Sequence, residues 1–198
     1  LYVNDGFAVS HREAASTVGI TRLLPSYAGL LLQQEVAALS AITKNPKRPY
    51  VAVIGGAKIS TKLGLVRRLL RRADHVLLGG ALANTVIRAE GQAIGVSLIE
   101  PKMLAVARGL TVKNPHLHIP YDVRVTRPHP KPYQFSRVRA IGAIEDQEMI
   151  VDIGPDTILL FDSFLRKAKT IIWNGPMGVF EMDNFANGTI EIAEALAE

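Results

Sequence analysis

Cysteine is absent from the 198 residues, which excludes disulfides, thiolate catalysis and zinc-finger ligation and fits a reducing compartment. Long apolar runs are absent too, so nothing reads as a membrane span. No charged–apolar–small pattern at the start reads as a signal peptide. The Gly-x-Gly-x-x-Gly fingerprint of dinucleotide sites does not occur, and neither does the Gly-Lys-Ser or Gly-Lys-Thr of a P-loop. There is no internal repeat and no low-complexity segment. A soluble cytoplasmic chain without membrane contact is expected. Its hydrophobic content of 48% and charged content of 21% are ordinary for a globular domain, and the length allows one to two domains.

The formal charge of +5 raises the question of a polyanionic partner. Its clearest source is Arg67-Arg68 and Arg71-Arg72, interrupted by Leu69-Leu70. That spacing describes an amphipathic helix with a solvated basic face. No aromatics alternate with these arginines to stack on bases, so nucleic acid is not expected. Small phosphorylated ligands account for a basic cleft equally well. His116 and His118 alternate on a short strand, a spacing that can ligate metal, but no third ligand is apparent.

Two segments carry chemistry. The run Thr170-Ile171-Ile172 leads into Trp173-Asn174-Gly175-Pro176-Met177-Gly178-Val179-Phe180-Glu181. A β-branched run suits a buried strand, and the glycines and proline then force a tight turn at its end. Open α/β sheets bind ligands beyond the carboxyl ends of their strands. An amide, Asn174, and an acid, Glu181, flank this turn. The second segment is the buried run Tyr50 to Ile54, continuing as Gly55-Gly56-Ala57-Lys58-Ile59-Ser60-Thr61-Lys62. It passes from strand to helix at the glycines. Lys58 and Lys62, four apart, share one face of that helix. Two cations at a helix start oppose its dipole unless an anion lies between them, so an anionic ligand is expected there.

With these segments in view, the chain resembles the phosphoglycerate kinase family. The matching residues are Val3 to Phe7 with Ser10-His11-Arg12, Ala15 to Gly19, Ala28 to Leu31, Gly55 to Lys62, Leu77 to Thr85, Gly95 to Leu98, Asp152 to Pro155, Trp173 to Glu181, and Gly188-Thr189. They keep the family's order across almost the whole chain. The resemblance implies that residues 1–25 are the end of an N-terminal, 3-phosphoglycerate-binding domain. Residues 26–44 are then an interdomain helix and 45–198 the nucleotide-binding domain. The family's early Asp-x-Asn segment, its Ser-His-Leu-Gly-Arg-Pro loop and its late Gly-Gly-Gly-Asp phosphate loop do not occur. A natural protein of roughly twice this length is therefore expected.

The implied activity is reversible phosphoryl transfer from 1,3-bisphosphoglycerate to Mg-ADP, giving 3-phosphoglycerate and ATP in glycolysis. This makes the protein a phosphotransferase with a carboxyl group as acceptor. The alternative is a fragment that binds nucleotide and does not turn over alone. The resemblance carries roles position by position. Lys62 matches the lysine on the ATP phosphates, and Lys58 its partner that follows the transferred group. Asn174 matches a donor to the nucleotide phosphates, and Glu181 the acid on the ribose. Gly80 and Ala81 match the floor of the adenine slot, where Ala81 replaces a family glycine, and Gly56, Ala57 and Val179 line the same slot. Asn84 and Thr85 read as supporting or helix-start residues. Arg12 matches the arginine that binds 3-phosphoglycerate. Near it, Ala8-Val9-Ser10 and Glu13 to Ala15 depart from the family pattern. The implied cofactors are ATP/ADP and Mg2+ carried by the nucleotide. No protein metal ligand is implied, and the expected state is a monomer with small-molecule partners.

The expected fold is α/β: a Rossmann-like parallel sheet with helices on both faces, a three-layer αβα arrangement that is incomplete relative to the family. The pattern predicts strands over 1–4, 50–55, 75–79, 116–119, 149–153 and 170–173. It predicts helices over 27–43, 58–72, 81–90, 100–110, 155–167 and 189–197. The Pro- and Arg-rich stretch 122–132 reads as loop, with short strands possible on either side.

Overall fold

The computed structural model describes residues 1–111 and 114–197. It divides into two compact units, Leu1–Lys47 and Arg48–Glu198.

In the first unit, β1 (Tyr2–Asn4) pairs in parallel with β2 (Ser26–Ala28). Short 3-10 and π turns lie between them, and α1 (Leu30–Lys44) follows. The sequence predicts a helix from residue 27, but Tyr27 and Ala28 sit in β2 and the helix begins after Gly29. The apolar Tyr27-Ala28 merges with Leu30-Leu31 into one apparent helical pattern, and strand pairing overrides it.

In the second unit, four parallel strands lie in the order β5 (Leu117–His118), β4 (His75–Leu78), β3 (Tyr50–Ile54), β9 (Thr170–Asn174). The connecting helices are α2 (Ile59–Leu70), α3 (Gly80–Ala89) and α4 (Leu104–Thr111). Every residue of β3 is buried, as required of a central strand covered on both faces. Val51 and Val53 point to one side, where they join Leu77, Met177, Phe161 and Leu165 of α5 (Pro155–Leu165) and Ile192 of α6 (Asn187–Ala197) in the core. Full burial of each such side chain stabilises the fold by about 1.5–3 kcal/mol.

A second, antiparallel sheet corrects the expectation of a loop over 122–132. Asp122–Thr126 is β6, the centre of a three-stranded sheet between β7 (Arg137–Ala140) and β8 (Met149–Ile153). Val123 and Val125 are almost fully buried in it. The prolines fall only after the strand ends, so Asp-Val-Arg-Val-Thr keeps every ladder amide.

Distant carboxylates cap four of the helices. None of α1, α2 or α5 has a side-chain bond from its own N-cap residue. Asp5 accepts from the Leu32 N–H at 2.9 Å in α1. Asp122 accepts from the Thr157 N–H at 2.8 Å in α5, and Glu100 from the Ser60 N–H at 2.9 Å in α2. Asp152 accepts from the Gly188 N–H at 2.7 Å in the first turn of α6. Such caps satisfy amides that a helix start leaves open and place negative charge at the positive end of the dipole. At Gly29, Gly154 and Gly188 a Cβ would collide with the capping carboxylate, so these starts need glycine to admit it.

His116 and His118 do not form a metal cluster; among the described residues no group of three or more His, Asp or Glu side chains could hold a metal ion. Instead His118 Nε2 shares a 3.0 Å hydrogen bond with His75 Nδ1, and both rings lie against Phe164. His116 Nδ1 lies 2.9 Å from the Asp74 carbonyl. Burial, then the neighbouring His75 and His116, lower the pKa of His118 from 6.5 to about 4. Asp152 moves the other way: burial lifts its pKa from 3.8 to about 6, against the Gly188 and Ile153 amides and the charge of Arg124.

These two shifts give opposite pH dependences in one window. For His118 the unfolded chain holds the extra proton between pH 4 and 6.5, so its contribution to stability is lost as pH falls through that range. For Asp152 the folded chain holds the extra proton, so its contribution is lost as pH rises from about 4 through 6. Denaturant melts of His118→Gln and Asp152→Asn across this range should therefore give stability differences from the unsubstituted chain with opposite slopes. Parallel slopes would contradict the assignment.

Candidate nucleotide site

The carboxyl ends of β3, β4 and β9 meet at one edge, and backbone hydrogen bonds stitch their loops together. The Gly55 N–H donates to the Asn174 carbonyl at 3.0 Å, and the Gly56 N–H to the Pro176 carbonyl at 3.0 Å. The Gly80 N–H donates to the Met177 carbonyl at 2.8 Å, and the Leu82 N–H to the Gly56 carbonyl at 2.9 Å. From the antiparallel sheet, the Val151 carbonyl accepts from the Val179 N–H at 2.8 Å. Trp173 Nε1 donates to the Gly175 carbonyl at 2.7 Å and braces the turn from within.

Close approach explains the glycines here. Gly80 has φ +65, and a Cβ would lie 2.7 Å from the Gly56 nitrogen and 3.1 Å from the Pro176 oxygen. Gly175 has φ +91, and a Cβ would lie 2.6 Å from both the Gly55 oxygen and Lys62 Nζ. Side chains at either point would force the three loops apart.

These loops enclose a cavity of about 340 Å³, within the size range of small-molecule sites. Gly56, Ala57, Gly80, Ala81, Val179 and Glu181, marked from the sequence, all line it. Asn84 lines it as well, buried in α3 with its Nδ2 3.4 Å from the Leu98 carbonyl. Residues 176–178 and Phe180 of the turn after β9 add to the lining, and the opposite wall comes from Leu98, Pro120, Val123 and residues 149–153. The sequence alone does not mark this wall, because its apolar residues look like any core and Asp152 like any strand-end acid. Their signal is the strand pattern of β6 and β8, and in β6 the prolines that follow it mask that pattern.

Lys62 lies beside this cavity rather than in its lining. Its Nζ donates to the Gly55 carbonyl at 2.6 Å and the Asn174 carbonyl at 3.2 Å, so it bridges the ends of β3 and β9. Burial pushes its pKa below the ordinary lysine value. Asn174 ends β9 with an exposed side chain, and the contact it makes to Lys62 uses its backbone oxygen. Lys58 is the exposed N-cap residue of α2. Glu181 is exposed at the cavity mouth. Arg12 and His11 belong to the other compact unit, exposed between its 3-10 and π turns. The arrangement offers an apolar slot with a glycine floor, a carboxylate at its rim, and ammonium groups at the start of α2.

The phosphoglycerate kinase family model matches residues 1–198. Among curated proteins, the phosphoglycerate kinase of Pelotomaculum thermopropionicum is 46% identical over 205 residues, covering 100% of this chain and 51% of that protein. The Listeria monocytogenes serotype 4a phosphoglycerate kinase is 46% identical over 198 residues, with 100% and 50% covered. Among solved structures, phosphoglycerate kinase from Coxiella burnetii aligns with a TM-score of 0.88 at 41% identity, covering 98% of this chain and 51% of that one. The enzyme from Pyrococcus horikoshii OT3 aligns at 0.86 and 33% identity, with 100% and 51% covered. The chain thus spans about half the length of the relatives it matches. It belongs to the phosphoglycerate kinase family.

Proposed function

We propose that this chain is the nucleotide-binding half of a phosphoglycerate kinase and that Mg-ADP or Mg-ATP occupies the cavity. The observation that carries this reading is the lining of one cavity by all of Gly56, Ala57, Gly80, Ala81, Val179 and Glu181, with Lys62 at its edge. The flat floor at Gly80 and Ala81 suits a purine face. The Ala81 methyl narrows that slot relative to the family glycine. Glu181 at the rim accepts from the ribose hydroxyls, since an ionised carboxylate is acceptor-only. Lys62, Lys58 and the Asn174 side chain serve the phosphates.

Lys62 suits that task physically. Its ammonium group is partly desolvated and rests on two carbonyl dipoles, so an anion close by favours its charged form. The bound nucleotide supplies the phosphoryl acceptor or donor, and the chain supplies position and charge. Mg2+ carried by the nucleotide would add positive charge at the phosphates, beside Lys58, Lys62 and Asn174.

For the whole protein the proposed reaction is transfer of the acyl phosphate of 1,3-bisphosphoglycerate to ADP, releasing 3-phosphoglycerate and ATP. Lys58 accompanies the transferred group, and Arg12 binds the three-carbon acid through a bidentate guanidinium. Residues 1–25 then form the end of the acid-binding domain and 26–44 the interdomain helix. The protein acts as a cytoplasmic monomer on small molecules; no helix among the described residues is long and apolar enough to cross a membrane. Alone, this chain binds nucleotide without turnover.

Titration calorimetry with Mg-ADP should give a saturable heat that Lys62→Ala weakens by roughly tenfold or more. A coupled assay on the chain should show no turnover. No heat from the unsubstituted chain would overturn the reading. The ribose role is separable: ADP should bind about tenfold tighter than 2′-deoxy-ADP, and Glu181→Ala should erase that preference. An unchanged preference in the variant would remove Glu181 from the ribose.

A further inference from the structure

The start of α2 carries the lysines proposed to serve the phosphates; within it the Thr61 hydroxyl donates to the Lys58 carbonyl at 2.9 Å, but no side chain of its own accepts from the open amides. Lys58, its N-cap residue, makes no side-chain cap bond, and no acidic residue follows in the first turn. A positive dipole end with two lysines on it is electrostatically unfavourable in isolation. The resident counter-charge comes from Glu100, forty residues on. One carboxylate oxygen accepts from the Ser60 N–H at 2.9 Å and the other from the Ser60 hydroxyl at 2.5 Å. The two Ser60 bonds are the first causes holding the Glu100 pKa below the usual carboxylate value, and the charge of Lys58 adds to them.

The same short segment is fastened to α3. The Glu100 N–H donates to Thr85 Oγ1 at 3.2 Å, and the Leu98 carbonyl lies 3.4 Å from Asn84 Nδ2. That helix begins at Gly80 and Ala81, on the cavity floor. Residues 98–100 therefore bridge the helix under the proposed adenine and the helix that presents ammonium groups to the phosphates.

We propose that Glu100 is a positioning residue for the phosphate end of the site. It fixes the first turn of α2, and with it Lys58 and Lys62, in register with the floor on α3. Glu100 itself does not line the cavity and acts through Ser60. Lys62 follows Lys58 by one helical turn, so a shifted start carries both lysines away from the phosphates. Displacements of about 1 Å are enough to matter for charged contacts of this kind.

This inference rests on the nucleotide reading, and its test keeps the two apart. Mg-ADP and adenosine are titrated into the chain, Glu100→Gln and Glu100→Asp. Glutamine keeps the reach and an acceptor oxygen for Ser60 without the charge; aspartate keeps the charge and loses the reach. Glu100→Gln should bind ADP within about threefold of the unsubstituted chain, and Glu100→Asp about tenfold more weakly. Adenosine, which lacks phosphates, should bind both variants within about twofold of the original affinity. Equal losses for ADP and adenosine would mean that Glu100 merely stabilises the unit. Loss in the glutamine but not the aspartate variant would mean that charge rather than position matters. ADP binding unchanged or tightened in Glu100→Asp would remove the role altogether, and each of these results overturns the proposal. Failure of the unsubstituted chain to bind either ligand overturns the nucleotide reading itself, and this inference with it.

Discussion

One ammonium group holds together the ends of the two strands that define the site. Lys62 Nζ rests on the carbonyls of Gly55 and Asn174, and so spans the exits of β3 and β9. Much else follows from that contact. Gly175 must lack a side chain because a Cβ would strike both the ammonium group and the Gly55 oxygen. The turn after β9 can then fold back so that the Pro176 and Met177 carbonyls receive the Gly56 and Gly80 amides. With those bonds made, the apolar cavity has a floor, a roof and a charged edge. A cation balanced by carbonyl dipoles is also a cation with affinity to spare for an anion.

A second constraint is the supply of helix caps from a distance. Asp5, Glu100, Asp122 and Asp152 each close the start of a helix that lies far from them in sequence. Glycine replaces a capping side chain at the starts of α1 and α5, and the vacated volume admits the foreign carboxylate. The arrangement makes helix placement a tertiary matter: a helix forms where another element presents its acid. In α6 this joins β8, which lines the cavity, to the helix behind it, through one buried aspartate whose pKa burial has lifted to about 6.

Sequence legibility followed the range of the interactions. β3, α2 and β9 were readable because a β-branched run followed by glycines dictates strand, turn and helix locally. Glu181 stood out as an acid beside a tight turn, whereas Gly80 and Val179 carry no local signal of their own and entered through the family resemblance. β6 was not readable: the prolines and arginines after Thr126 coloured the whole stretch, although the strand ends before them. β2 was hidden because Tyr27 and Ala28 continue the apolar pattern of α1. The capping acids were invisible, because nothing in a lone Glu100 or Asp122 announces a partner helix some thirty-five or forty residues away. The two histidines His116 and His118 were visible as a pattern, while their partners, the Asp74 carbonyl and His75, came only with strand pairing.

The central claim is that a single ligand touches the glycine floor and the lysine helix at once. Backbone and lysine side-chain NMR shifts followed through a titration with Mg-ADP test it directly. The account predicts that Ala81, Val179, Glu181 and Lys62 respond together and saturate at one dissociation constant. Shifts at Ala81 without Lys62, or at Lys62 without Ala81, would contradict it.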